Sequence, residues 1–153
     1  MLKLLKILII ILVVSLIVVQ FVPNKMPENS AAGKDDLISS GVLPETVSSI
    51  LRTSCYDCHS NQTSYPWYSK VAPASWLLAS DVRDGRDDLN FSEWGSYSKR
   101  HQIGNLRKMK EEIASGEMPL KAYLLIHRHA KLSTEQKNAL VKWTEDMTKK
   151  ILE

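Results

Sequence analysis

The residues best suited to chemistry lie together in one short segment, Cys55-Tyr56-Asp57-Cys58-His59. It contains both cysteines of the 153-residue chain. If the segment is a helical turn, residues three apart point the same way, so both sulfur atoms can reach one edge of a planar group. His59 then lies one turn after Cys55, where its imidazole can bind a metal ion at the centre of that group.

This spacing, Cys-x-x-Cys-His, is typical of the attachment of haem c. In that chemistry two thiols add across the vinyl groups of the porphyrin, and the histidine binds the iron as the proximal ligand. We therefore predict one covalently bound haem c, joined to Cys55 and Cys58, with its iron on His59.

Three other uses of the cysteines fit less well. A thioredoxin-like redox pair would lie where a strand enters a helix, but this segment follows a helical pattern. A structural zinc site needs four ligands, and His101, His127 and His129 are the only further histidines. A plain disulfide bond would leave His59 without a role.

The ligand for the other face of the iron is predicted in residues 116–120, Gly-Glu-Met-Pro-Leu, which form a turn after a predicted helix. A thioether from Met118 would raise the reduction potential of the iron. Met109 and Met147 fall on apolar helix stripes and are interpreted as core residues. The alternatives to Met118 are His101, His127 and His129, or an open site.

The N-terminal segment has the composition of a membrane helix. Leu4 to Val22 is apolar with one charged residue, Lys6. As a helix it would measure about 28 Å, close to the ~30 Å hydrocarbon core of a bilayer. Lys3 and Lys6 favour a cytoplasmic N terminus. We predict an uncleaved signal anchor over residues 1–22, with a cleaved signal peptide as the alternative, and either would export the rest of the chain.

The remainder is predicted as a linker, residues 23–35, and one haem-binding domain, residues 36–153. No part of the domain alternates with a period of two, so the predicted fold class is all-α. Apolar periodicity and capping signals predict four helices and one short apolar stretch, Leu120 to Ile126. The first helix begins at Pro44, the second runs from Pro73 to about Asp88, the third runs from about Ser98 to Ser115, and the last begins at Ser133.

The charge balance does not suggest a nucleic-acid partner. The chain has 20 Lys and Arg against 17 Asp and Glu, and two of the basic residues, Lys3 and Lys6, belong to the N-terminal segment. Nucleic-acid binding needs a strongly basic face. The basic stretch from Lys99 to Lys110 is balanced by Glu111 and Glu112, which follow it, and is interpreted as a solvated helix face.

From Leu37 to Thr148 the sequence resembles the bacterial haem-binding domain family, monohaem proteins related to c-type cytochromes. The resemblance implies covalent haem at Cys55 and Cys58, iron on His59, and Met118 on the opposite face. The motifs that carry it are CYDCHSN at 55–61, YPWY at 65–68, PASW at 73–76, NFSEW at 90–94, GEMPL at 116–120 and LSTEQ at 132–136.

The order of elements also looks like that of a class I cytochrome c, a helix into Cys-x-x-Cys-His, a methionine-bearing loop and a C-terminal helix. In that fold the first and last helices cross. Either Pro66 or Pro73 is expected to supply the carbonyl oxygen that orients His59. The helix crossing would bring Val47, Ile50 and Leu51 against Leu140, Trp143 and Met147. The residues expected to wall the haem are Trp67, Trp76, Trp94 and Trp143.

These features predict a membrane-anchored monohaem c-type cytochrome that acts as a one-electron carrier and not as an enzyme. It would lie in a bacterial inner membrane as a single-pass protein, with the C-terminal domain in the periplasm. Its partners would be redox proteins at the membrane surface and, through residues 4–22, the lipid bilayer. The alternative is a haem-based sensor or ligand-binding module with an open distal site; His127-Arg128 is a weak indication of a peroxidase.

Overall fold

The chain folds into helices and connecting turns in a computed structural model that describes residues 1–153. It contains no strand, which confirms the all-α prediction. Short 3-10 helices cover Val19–Phe21, Trp67–Lys70, Phe91–Ser96 and Arg128–Ala130. The α-helices are α1 (Leu2–Val18), α2 (Glu45–Ser54), α3 (Tyr56–His59), α4 (Ala74–Asp88), α5 (Lys99–Ser115), α6 (Lys121–Ile126) and α7 (Thr134–Leu152).

Helix α1 and the 3-10 turn that follows it are long and apolar enough to cross a membrane, over Leu2–Phe21. None of the residues of α1 is buried. A row of exposed Leu, Ile and Val side chains is costly in water, so α1 needs an apolar environment. Length and composition therefore make it a candidate membrane span, although a signal sequence would meet the same criteria.

The helix ends lie where the local sequence signals predict them. Ser98 caps α5, since its side chain accepts a hydrogen bond from the backbone N–H of His101. Gly116 ends the same helix in the left-handed conformation, with φ of 79°. Ser133 and Gln136 form a reciprocal capping box at the start of α7. Each signal satisfies backbone groups that a helix end would otherwise leave unpaired.

The first and last helices of the domain share one apolar core, as the likeness to class I cytochrome c predicts. Each fully buried Leu or Ile in such a core contributes roughly 1.5–3 kcal/mol. Helix α7 also packs along the length of α5. The core residues from α2 and α7 are Val47, Ile50, Leu51, Leu140 and Trp143, with Met147 packed against them.

Residues 23–35, predicted as a linker, contain no helix, but they lie against the domain. The guanidinium group of Arg86 makes part of the attachment. It donates to the carbonyl oxygen of Ser60 at 2.8 Å, to that of Glu28 at 2.7 Å and to the side-chain oxygen of Asn29 at 3.0 Å. The segment is therefore bound beside the Cys-x-x-Cys-His motif, and the domain limits themselves stay a prediction.

Candidate functional site: a cleft beside the Cys-x-x-Cys-His motif

Cys55 and Cys58 lie at the junction of α2 and α3. The backbone leaves helical geometry at Cys55, with φ of −130° and ψ of −37°, and returns to it at Tyr56. The N–H groups of Cys58 and His59 donate to the carbonyl oxygen of Cys55 at 3.2 and 2.9 Å. Both thiols are free and half-buried. The motif thus forms a helical turn, as the sequence predicts.

Tyr56, between the two cysteines, fixes this turn to the rest of the domain. Its ring is buried and stacks on Phe91, with centroids 5.3 Å apart and planes at 10°. Its hydroxyl donates to the carboxylate of the buried Asp36 at 3.4 Å and accepts from the N–H of Ile38 at 3.1 Å. Burial raises the pKa of Tyr56 above its ordinary value, so the phenol stays neutral. The motif is therefore held in place through the buried side chain of Tyr56.

The imidazole of His59 is held by the C-terminal end of α4. Its Nδ1 lies 2.8 Å from the carbonyl oxygen of Gly85 and 3.0 Å from that of Leu89, so Nδ1 carries the proton and donates it. Burial lowers the pKa of His59, against the opposing effect of the two carbonyls, which keeps the ring neutral. Nε2 then has the free lone pair that an iron ligand needs. Neither Pro66 nor Pro73 supplies the orienting carbonyl, so that expectation is wrong.

Gly85 makes this hydrogen bond possible because α4 passes very close to the motif there. A Cβ atom at this position would lie 2.8 Å from the carbonyl oxygen of Cys58 and 3.1 Å from its carbonyl carbon. Any side chain would force the two backbones apart, and the carbonyl of Gly85 that accepts from His59 belongs to one of them. No signal in the sequence marks this role of Gly85, because the two backbones meet only in the folded chain.

The motif opens onto a cleft built of two adjoining cavities, with volumes of about 220 and 260 Å³. One cavity is walled mainly by apolar side chains that include Leu89, Phe91 and Ile113. The other reaches Cys58 and Tyr123. A largely apolar wall keeps water from a large flat hydrophobic group. The residues that line both cavities are Ser54, Cys55, His59, Asp88, Met118 and Pro119.

Met118 lies on the same cleft as His59, in the turn after α5. Its N–H donates to the carbonyl oxygen of Glu112 at 3.2 Å, which ties the turn to the end of the helix. Met109 of α5 also lines the cleft, although the sequence analysis assigned it to the core. Two thioethers therefore face the space beside His59.

The three histidines considered as alternatives to Met118 lie away from the cleft. His127 stacks on Tyr123, with centroids 4.3 Å apart, and its Nε2 lies 2.6 Å from the hydroxyl of Tyr68. His101 is exposed and lies against a tyrosine ring at 4.4 Å. His129 is also exposed. Among the ligands that the sequence analysis weighed, the fold brings only Met118 to the cleft.

One buried polar atom on the cleft wall has no partner within the chain. Asn105 of α5 is 8% exposed, and its Nδ2 makes no hydrogen bond. A buried donor without an acceptor costs about 1–3 kcal/mol, so such a group is usually satisfied by something else that binds. A haem carries two carboxylates that can accept this hydrogen bond. Together with the free Nε2 of His59 and the paired thiols, the donor set fits a haem.

The thiols do not have the character of a redox pair. Burial raises the pKa of Cys55 to about 12, helped by the neighbouring Cys58. Burial, with the nearby carboxylates of Asp81 and Asp57, raises the pKa of Cys58 to about 12 as well. Thiol redox enzymes lower the pKa of the attacking cysteine instead. The structure also brings no three His, Cys, Asp or Glu side chains together in the way that a zinc site requires.

The aromatic residues on the cleft wall are Phe91 and Tyr123. None of the four tryptophans lines it. Trp94 and Trp143 are buried in the core behind the cleft, and Trp67 is on the surface. The expectation that the tryptophans wall the haem is therefore wrong, because Trp94 and Trp143 stabilise the helix packing instead and Trp67 faces outward.

Comparison with known proteins agrees with this site. The sequence model of the haem-binding domain family matches residues 14–146, which includes the motif, α4 and the turn at Met118. No curated protein and no solved structure matches the chain. Because the family match covers most of its length, the chain belongs to the haem-binding domain family.

Proposed function

We propose that this chain is a membrane-anchored monohaem c-type cytochrome that carries one electron at a time. The observation that supports it most is the arrangement of His59 beside two free thiols. Its Nδ1 is occupied by two carbonyl oxygens, at 2.8 and 3.0 Å, and its Nε2 is free. Structural histidines have no need of this second lone pair, whereas histidines that bind metals are oriented in this way.

Covalent attachment would use Cys55 and Cys58. Each thiol adds across one vinyl group, so that sulfur bonds to one carbon, the thiol hydrogen moves to the other, and no electrons are gained or lost overall. The bound haem would supply a ferrous–ferric couple. His59 would hold the iron through its free Nε2. The apolar walls of the cleft, with Leu89 and Phe91, would exclude water from the bound group.

The proposed distal ligand is Met118. It lies on the cleft with His59, and a thioether ligand favours the reduced iron and raises its potential. Met109, on the same wall, belongs to a regular helix and packs against the core, so its side chain has less freedom to reach the iron. No residue in the cleft is proposed as a general acid or base, and we propose no enzymatic activity.

The proposed location is a bacterial inner membrane, with α1 as a single-pass anchor and the domain in the periplasm. Lys3 and Lys6 at the N-terminal end of α1 favour that orientation. The periplasm is where haem c is attached. The partners would be redox proteins that meet the cytochrome at the membrane surface.

The full chain, expressed in a host that matures c-type cytochromes, tests these proposals. We expect its mass after denaturation to include one haem, and the Cys55→Ser/Cys58→Ser variant to lack that mass. Reversible optical reduction would support the carrier function. Extraction with alkaline carbonate tests the anchor separately, since a membrane-spanning protein stays with the pellet. A denatured chain without haem mass would contradict covalent attachment, whatever the extraction shows.

A further inference from the structure

Outside α1, several large apolar side chains are exposed on the domain, and five of them belong to neighbouring segments. Trp67 is 78% exposed and Val71 41%, and both lie in or next to the 3-10 helix before α4. Leu77 of α4 is 57% exposed. Leu125 and Ile126, at the end of α6, are 77% and 67% exposed. We refer to these five residues as the apolar face.

Contacts beneath the apolar face bring its segments together. The hydroxyl of Tyr68, next to Trp67, lies 2.6 Å from Nε2 of His127, which directly follows Ile126. The 3-10 helix Trp67–Lys70 also packs on α4, the helix that carries Leu77. The five exposed side chains are therefore presented from one region of the domain.

The end of the candidate membrane helix is bound to this same region. The side-chain amide of Gln20 donates to the carbonyl oxygen of Ala72 at 2.9 Å and accepts from its N–H at 3.0 Å. Asn24 donates to the carbonyl oxygen of Ser75 at 2.8 Å. The point where the chain would leave the bilayer thus adjoins Val71 and the start of α4.

The two stretches of sequence that carry the apolar face contain basic residues but no acidic ones. None of the chain's 17 Asp and Glu lies between Cys58 and Ser80 or between Met118 and Thr134. Those two stretches do contain exposed basic residues, Lys70, Arg128 and Lys131 among them. Asp57 and Asp81 lie at the edge of these stretches, since Asp57 accepts from Tyr123 at 2.9 Å and Asp81 follows Leu77 by one helical turn. A surface with exposed Trp and Leu and an excess of basic residues has the chemistry of a surface that binds anionic lipid.

We propose that the apolar face rests on the membrane that α1 spans, with its side chains at the boundary between headgroups and acyl chains. The inference depends on the proposed anchor but not on haem attachment. Amphipathic Trp side chains favour that depth, and nearby basic residues meet anionic headgroups. Tyr123, which lines the cleft, stacks on His127 beneath the face. The stacked rings of Tyr123 and His127 would therefore separate the cleft from the lipid. A membrane-embedded redox partner would approach the cleft from this side.

The test uses the full chain, reconstituted in bilayers that contain a phospholipid with a photoreactive diazirine close to the glycerol end of one acyl chain. Cross-linked peptides are mapped by mass spectrometry. We expect cross-links in α1 and also in residues 66–77 and 125–126. The combined Trp67→Ser/Leu125→Ser variant should lower the yield in these two stretches at least ~3-fold while leaving α1 unchanged, since each apolar side chain adds to interfacial affinity.

Two exposed apolar residues away from the face provide the matched control. Val42 is 51% exposed and Leu152 is 70% exposed, and Val42 lies near the end of α7. Val42→Ser/Leu152→Ser should leave the cross-links at residues 66–77 unchanged. Cross-links confined to α1 would overturn the inference and assign the apolar face to a protein partner. An absence of cross-links even in α1 would overturn the inference together with the anchor, and the mass of the denatured chain would still report on haem.

Discussion

The two sides of the cleft are built in different ways. On one side His59 is fixed by two carbonyl oxygens of α4, and the neighbouring Tyr56 is buried and stacked. On the other side Met118 lies in a turn, held through its backbone by Glu112. We call the first the rigid side, because side-chain contacts within the chain fix His59 and Tyr56, and the second the adjustable side, because hydrogen bonds hold only the backbone of Met118. We therefore predict that the motif fixes the position of a bound haem and that the turn tunes its iron.

Removal of the rigid ligand should have the largest effect. In His59→Ala, the haem would lose its proximal nitrogen, and we expect the haem-loaded fraction from a competent host to fall more than about tenfold. The ratio of haem absorbance to protein measures it. His129→Ala, an exposed histidine away from the cleft, is the control and should load normally. Full loading of His59→Ala would show that the rigid side does not hold the iron.

The adjustable side should affect potential more than loading. Met118→Ala should load haem but lower the reduction potential by on the order of 0.1 V, because axial ligands set potentials over a range of about 0.8 V. The reduced variant should also bind carbon monoxide. Met109→Ala, from the same wall, should keep the spectrum of the unchanged protein. If Met118→Ala changes nothing and the unchanged protein binds carbon monoxide, the distal site is open, as in a sensor.

The close approach of α4 to the backbone of Cys58 can be tested by substitution of two glycines. Gly85→Ala places a Cβ 2.8 Å from the carbonyl oxygen of Cys58, and we expect the free energy of unfolding to fall by about 1–3 kcal/mol. Gly104→Ala, in α5, meets nothing within 4 Å and should be neutral or raise that free energy by up to ~1 kcal/mol. Urea unfolding of both variants measures the difference. Equal effects would mean that α4 does not fix His59 through this contact.

The smallest expected effect concerns Asn105, on the wall between the two sides. If its unpartnered Nδ2 donates to a bound haem, Asn105→Leu removes that hydrogen bond and should destabilise the haem-loaded protein by about 1 kcal/mol. Asn138→Leu, on the exposed face of α7, should change stability by less than about 0.5 kcal/mol. Chemical unfolding followed by haem absorbance provides the measurement. A gain in stability for Asn105→Leu in the loaded protein would show that the donor has no partner there.

Local signals made the helices and the motif predictable. The capping residues Ser98 and Ser133 and the left-handed Gly116 act within one turn of the chain, so their effect can be read along the sequence. The Cys-x-x-Cys-His spacing is also local. The turn at Met118 was found because its proline and glycine mark it.

Features that join distant segments could not be predicted in this way. The carbonyls that orient His59 belong to a helix whose approach depends on Gly85, and no periodicity reports which backbone lies next to another. The stripe that contains Met109 has the spacing of a core helix, and only the fold shows that a cleft opens beside it. The unpartnered amide of Asn105 has no sequence signal at all, because satisfaction of a hydrogen bond is a property of the assembled surroundings.

The attachment of the N-terminal segment to Arg86 has a further consequence for how electrons would be exchanged. A carrier on a slack tether can swing between partners at different heights above a membrane. Here the chain is bound again at Glu28 and Asn29, a few residues after the candidate span ends. Such a carrier cannot work as a swinging arm. It would meet its partners by lateral diffusion in the plane of the bilayer, and it would suit those whose own redox centre lies at a matching height.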